Sequence, residues 1–509
     1  MRRVLALLVF ASLLGACGSS SPPSNEVWPT DVWARAAPET QGFDSAMLAS
    51  LVQAISDTGT PMHSLSIVRR GVVILDVRFF PWIEDRPHDV ASCTKSLTST
   101  GVGLALRDGT IPSLDARLLS FFPERTIANG SDEKQAISLR DALTMRAGFQ
   151  CIADPAELTL FAMTQSPDYV QFALDLPMQT APGTEWVYCS PVPHLLSAVV
   201  GGVAGEPLDA YLGERLFAPL GITDVVWPRD PQGVSHGWGD VRMRPLDLAR
   251  IGLLFARGGR WRDGRLLSES WVEAALSDQT STGYGYLWWV DPEAFSARGR
   301  GGQYLYVIPS KDLILVTTAS AGPEDEARFS ALLAGFLLPA LKSDSALPPN
   351  PDAVSSLDER IALAAQPPPA VVPTPTPSVG VAIDGKAFAL ASNLVGWDAI
   401  TLSFAGAQGT LTIEVGGVVS TVPFGLDGVA RFGHAAKFAA TGSLDDVDVA
   451  LVGTWLDDHT LELRFDTLDR IDAGTITLTI DADASGLSFD LYERTFLRSH
   501  VVVRGTPRP

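Results

Sequence analysis

The sequence predicts a two-part protein, an α/β (α+β) unit followed by a small all-β barrel or sandwich. Three observations predict it. Within a first unit over residues 40–342, helix-like and strand-like segments alternate irregularly from Asp89 to about Leu341, without the regular repeat of a βαβ array. Residues 343–378 are then rich in proline, including Pro367-Pro368-Pro369, which suits an extended linker. Residues 379–509 read as strand after strand, with strict alternation in Thr475-Ile476-Thr477-Leu478-Thr479-Ile480, as expected when one face is buried and the other wet.

Taken in order, the chain opens with Arg2 and Arg3, an apolar stretch over residues 4–14 too short to span a bilayer, and then small residues. Residues 1–16 are therefore expected to be a signal peptide. Leu14-Gly15-Ala16-Cys17 is similar to a bacterial lipobox, so lipidation of Cys17 and a tether over residues 17–39 are expected; an ordinary signal peptide is the alternative. Gly18 after the cysteine points to a membrane partner reached through the lipid, at the outer membrane facing the periplasm. Phe43-Asp44-Ser45 opens an amphipathic helix carrying Met47, Leu48, Leu51, Val52 and Ile55. Residues 64–68 and 72–80 read as a hairpin around Arg70-Gly71. Within the linker, residues 357–365 carry a short helical pattern that would let it lie against the first unit. In the last unit the expected strands are 400–404, 410–415, 447–455, 460–465, 475–480, 487–491 and 501–504.

The formal charge is −20, from 38 basic and 58 acidic residues, and no basic run interrupts it. A polyanion would be repelled over most of the surface, so nucleic acid is not an expected partner. The seven histidines show no paired metal spacing, so neither metal nor cofactor is expected. With Cys17 lipidated, Cys93, Cys151 and Cys189 would sit in an oxidising compartment and form at most one bridge. Cys151 with Cys189 is the expected pair, because Cys93 falls inside a helix, although spacing alone does not fix connectivity.

Chemistry enters at Ala91-Ser92-Cys93-Thr94-Lys95. A serine and a lysine three residues apart on a helix share one face, and an amine made partly neutral by burial can take the serine proton. By itself this spacing is common. In context, residues 89–99 resemble the first motif of the beta-lactamase-related serine hydrolases, and the resemblance continues through 137–148, 181–190, 239–253, 283–289 and 297–303. It covers about residues 40–340 and implies a beta-lactamase/transpeptidase-like fold, with an antiparallel sheet and a helical subdomain. It further implies Ser92 as nucleophile, Lys95 as base and Tyr188, from Tyr188-Cys189-Ser190, as proton shuttle. Ser190 would complete the hydrogen-bond network or cap a turn before Pro191.

The family's third motif aligns with Ala297-Arg298-Gly299, supported by Gly301, Gly302 and Gln303; a register using Arg300-Gly301-Gly302 is the alternative. The first register implies an oxyanion hole from the backbone N–H groups of Ser92 and Arg300. The lysine that would grip a substrate carboxylate is missing there, with Arg298 or Arg300 as possible substitutes. The pattern is closest to the branch of esterases and 6-aminohexanoate-oligomer hydrolases. A small-molecule ester or amide is thus the expected substrate, with beta-lactam or D,D-peptide turnover, or a silent cell-envelope binding role, as alternatives. Tyr284, Tyr286, Trp288 and Trp289 are expected either in an acyl pocket or in the core. Gly233-Val234-Ser235-His236-Gly237 matches a nucleophile elbow, but Pro228 and Pro231 precede it and no helix follows directly, so Ser235 is not expected to react.

Overall fold

The structure is a computed structural model that describes residues 26–29, 32–153, 157–438, 445–495 and 498–508. The expected signal peptide and Cys17 lie outside the described residues.

A six-stranded antiparallel sheet organises the first unit, in the order Val72–Arg78, Met62–Arg69, Leu313–Ala319, Gln303–Ile308, Ala294–Gly299, Trp289–Asp291. Its central strands are apolar on both faces because both faces are covered. Ile67, Leu313 and Leu315 join one cluster with Leu48, Leu51 and Ile55 of the helix Ser45–Asp57. Val68, Ile314 and Val316 point the other way, into a second cluster with Ile251, Leu254 and Phe255 of the helix Pro245–Ala256. The helix Ser45–Asp57 starts where the Asp44 carboxylate accepts from the N–H of Ala46 at 2.9 Å, satisfying a donor that the helix itself cannot.

On the second face lies the helix Cys93–Arg107, buried along almost its whole length and packed against Pro191–Ala204. Asp108 and Gly109, the latter at φ +73°, end it. Further short helices, among them Leu139–Leu143 and Tyr169–Asp175, complete a helical subdomain around it.

The proline-rich stretch is anchored in its first part. The buried Arg69 guanidinium donates to the Ser343 carbonyl at 2.9 Å and pairs with Asp344 at 2.8 Å. The helix Pro351–Ala364 then packs on Ser45–Asp57 and buries Leu357 in their shared core.

The last unit is a ten-stranded antiparallel series. It curls round until Gly425 of Val418–Gly425 meets Val452 of Asp445–Trp455, closing a barrel over an apolar core. All seven expected strands lie within it. Three more, Ala387–Leu390, Val418–Gly425 and Arg431–Lys437, were not expected. The first is only four residues long; the second contains Pro423, a poor ladder donor, and the third carries two basic residues and a glycine, which blur the alternation.

Candidate active site

Ser92 stands at the start of the helix Cys93–Arg107, on a tight turn whose preceding residue, Ala91, is held at φ +46°. The Asp89 carboxylate holds that turn by accepting from the Ala91 N–H at 2.7 Å. One helical turn on, the Lys95 ammonium reaches back and donates to Ser92 Oγ at 2.8 Å, and to the Trp238 carbonyl at 2.8 Å. Lys95 is 2% exposed. Burial pushes its pKa down to about 8, against the opposing pull of Glu157 and Asp240. An appreciable fraction of the amine is therefore neutral near neutral pH, as a base must be.

Tyr188 lies with its ring 4.8 Å from Lys95 Nζ and its phenol hydrogen-bonded to Ser92. Burial and the Glu157 carboxylate hold that phenol well above its ordinary range, so it is present as a proton donor and not as phenolate. Ser92, Lys95 and Tyr188 thus converge on one oxygen, although 93 positions separate Lys95 from Tyr188. That combination can remove a proton from Ser92 Oγ and return one to a departing group.

Ser190 takes up a partner that the motif did not name. Its hydroxyl donates to the Glu157 carboxylate, and it makes no cap bond to the helix Pro191–Ala204 that it precedes. Glu157 was missed by the sequence reading; it sits at φ +45° at the head of the helix Leu158–Thr164. Cys151 and Cys189 are joined, with Cα atoms 5.5 Å apart, and this link ties the segment before Glu157 to the Tyr188 segment. Two cysteines flanking Glu157 and adjoining Tyr188 were the only available signal. Asp240, at φ +71°, was also missed; it accepts from His236 Nδ1 at 2.8 Å and is felt by Lys95.

Across from Ser92 runs the edge of the strand Ala294–Gly299. A Cβ on Gly299 would lie 2.6 Å from the Val90 carbonyl oxygen and 2.9 Å from Ala91 Cβ, so only glycine permits this approach to the Ser92 turn. The chain then kinks through Arg300, Gly301 at φ +76° and Gly302 at φ +89° before resuming as Gln303–Ile308. Gln303 is fully buried and pins that kink: its Nε2 donates to the Arg300 carbonyl at 3.1 Å and to the Ala319 carbonyl at 2.5 Å.

The structure also places the residues whose roles the sequence left open. Arg298 is engaged by Asp291 at 2.8 Å and by Ser296 at 2.8 Å, and lies over the Trp289 ring. The Arg300 side chain turns away into the barrel, donating to Thr495 Oγ1 at 2.7 Å and facing Asp472 at 3.6 Å. Neither arginine is thus placed as a carboxylate clamp. Of the aromatic group, Tyr284, Tyr286 and Trp288 are core residues, while half-buried Trp289 stacks near Tyr188 and Trp186. As expected, Ser235 does no surface chemistry: it is fully buried and donates to Asp209 at 2.6 Å. Cys93 is buried beside Ser92, and burial pushes its thiol up to about 12, which disfavours the reactive thiolate. Among the described residues no cluster of ligands could hold a metal.

Fold and site together define a hydrolase of the beta-lactamase fold. The chain belongs to the Beta-lactamase family, whose model matches residues 48–338. It is similar to the 6-aminohexanoate-dimer hydrolase of Paenarthrobacter ureafaciens, at 25% identity over 62% of this chain and 88% of that protein. It is also similar to the lovastatin esterase of Penicillium rubens, at 29% identity over 26% of this chain and 38% of the esterase. A solved candidate beta-lactamase from Bacteroides dorei shares the fold, with TM-score 0.50 and 18% identity over 59% of this chain and all of that one.

Proposed function

We propose that this chain is an exported serine hydrolase that cleaves a small-molecule ester or amide through an acyl-enzyme on Ser92. The observation that carries the reading is the convergence of Lys95 and Tyr188 on Ser92 Oγ, with the amine pKa lowered to about 8 and the phenol held protonated. Neutral Lys95 takes the Ser92 proton as Oγ bonds to the substrate carbonyl carbon. The backbone N–H groups of Ser92 and Arg300 receive the oxyanion. Collapse of the tetrahedral species breaks the bond to the leaving group, and the Tyr188 phenol supplies its proton while drawing on the Lys95 ammonium. Water then attacks the acyl carbon, gives up its proton to the same pair, and Ser92 is released.

Ester or neutral amide turnover is favoured over beta-lactams and D,D-peptides by the engagement of Arg298 and Arg300, which leaves neither to grip a substrate carboxylate. The relatives include a 6-aminohexanoate-dimer hydrolase and an esterase by name, in keeping with that choice, while others carry the name D-alanyl-D-alanine carboxypeptidase, the alternative class. Export rests on residues 1–17 of the sequence, and Cys17 is the proposed lipid anchor at the outer membrane. Metabolic labelling with an alkyne palmitate analogue tests it: Cys17→Ser should abolish the label.

The activity is tested by offering p-nitrophenyl esters, linear amides and nitrocefin to the purified protein, together with a fluorescent phosphonate. Turnover of an ester or amide, with labelling lost in Ser92→Ala, is expected. Nitrocefin as the preferred substrate would overturn the substrate class, and labelling that survives Ser92→Ala would overturn the nucleophile.

A further inference from the structure

The barrel touches the hydrolase unit at several places, Arg86 with Asp448 at 2.7 Å and Phe80 against Phe432 among them, and one group of these contacts falls on the two segments that face Ser92. Between the barrel strands Thr460–Thr467 and Ala473–Ile480, residues 468–472 form a loop that reaches the nucleophile turn. The Asp469 carbonyl accepts from the Asp89 N–H at 3.0 Å. Asp89 is the residue whose carboxylate holds Ala91 at its positive φ, so this bond fixes the outer end of the turn that carries Ser92. The Asp469 carboxylate also pairs with Arg242, on the bridge that aligns with His88–Asp89.

The same loop holds the opposite wall. Ile471, fully buried, has its Cβ 3.7 Å from where a Cβ on Gly301 would stand. Asp472 faces the Arg300 guanidinium at 3.6 Å, and Thr495 accepts from it at 2.7 Å. Thr495 is itself fixed by Glu493, which accepts from its N–H at 2.7 Å and its hydroxyl at 2.5 Å. Trp82 Nε1 adds an outer tie to the Thr467 carbonyl at 2.9 Å.

We propose that the barrel is a positioning element of the active site, in which the 469–472 loop and Thr495 set the separation of the Ser92 and Arg300 backbone N–H groups. The inference rests on the oxyanion-hole reading given above. Those two donors belong to separate stretches of chain, which meet directly where Gly299 packs on Val90 and Ala91 and where the Cys93 thiol reaches the Gln303 carbonyl at 3.5 Å; the Gly299–Gly302 kink, with its three glycines, leaves their separation adjustable. Each donor segment is in addition bound to the barrel, at Asp469 on one side and at Asp472 and Thr495 on the other. Donors aimed at a developing oxyanion are effective only when held in place beforehand, so a loose brace lowers the rate and leaves substrate binding largely intact.

The test compares full-length wild type with Asp472→Asn/Thr495→Val, with Thr495→Val alone and with Asp472→Glu. In the double variant kcat for a p-nitrophenyl ester should fall by about tenfold or more, while KM stays within about twofold. Amide hydrogen exchange should quicken across 299–303, and Asp472→Glu should recover most of kcat. A folded double variant with wild-type kcat, or with unchanged exchange over 299–303, would overturn the brace. Should the double variant fail to fold, Thr495→Val keeps the Arg300–Asp472 pair and is expected to show the same changes, smaller in size; wild-type kcat in it would overturn the proposal. If wild type itself turns over no ester, the hydrolase reading fails, and the exchange comparison alone still decides the brace.

Discussion

Inside the barrel, burial alternates residue by residue along Gln408–Val415 and Ser499–Pro507, and the enclosed side chains are Val, Leu, Ile, Phe and Trp. Around Ser92 the buried groups are instead Lys95, Asp89, Ser190 and Gln303, and Ala91, Glu157 and Asp240 all hold positive φ. The barrel interior obeys the same rule at every level, from strand propensity to packing. The site breaks several rules at once, and its neighbours maintain it: burial that depresses Lys95 costs stability, which the apolar cores offset. Local consistency thus marks the part that supports, and local violation marks the part that reacts.

The comparison is broken most severely at Ser92, the proposed nucleophile. Ser92→Ala should lower kcat/KM by on the order of 10⁴-fold or more with the thermal transition unchanged, as ester assays and calorimetry would show. In the barrel the corresponding change is one of stability. Trp397, 1% exposed and donating to the Phe438 carbonyl at 2.6 Å, should cost about 3–5 kcal/mol as Trp397→Ala, read from denaturant unfolding. Gly299→Ala lies between the two regions. Its Cβ would press on the Val90 oxygen, and the shifted turn should lower kcat about 100-fold while costing about 1–3 kcal/mol of stability. The gentlest probe is Glu157→Gln. Glu157 favours the charged form of Lys95, so its removal lets the amine deprotonate earlier and should move the rise of kcat/KM with pH to lower pH; an unmoved profile would remove Glu157 from the site's electrostatics.

This contrast also accounts for what the sequence made legible. Thr475 to Ile480 announces its strand because each residue's position alone decides its environment. Val418–Gly425 does not, since Gly416-Gly417 and Pro423 obscure it, although the register Val415↔Val418 makes that glycine pair a tight hairpin turn. At the site, Ser92, Lys95 and Tyr188 were legible through ordered motifs. The Trp238 carbonyl on Lys95, Glu157 on Ser190 and Asp472 on Arg300 were not, because they meet across 143, 33 and 172 positions with no local pattern to join them. The Arg300 side chain illustrates the limit: its backbone belongs to the motif, while its guanidinium belongs to the barrel.

The activation of Ser92 by Lys95 is tested most directly by the pH dependence of the acylation rate, followed by stopped-flow release of p-nitrophenol in the first turnover. Because burial lowers the amine pKa to about 8, the neutral, proton-accepting form grows as pH rises through that value. The rate should therefore climb with the loss of a single proton centred near pH 8 and then level, and Lys95→Ala should lose both the burst and the titration. A flat profile, or one that persists unchanged in Lys95→Ala, would contradict the account.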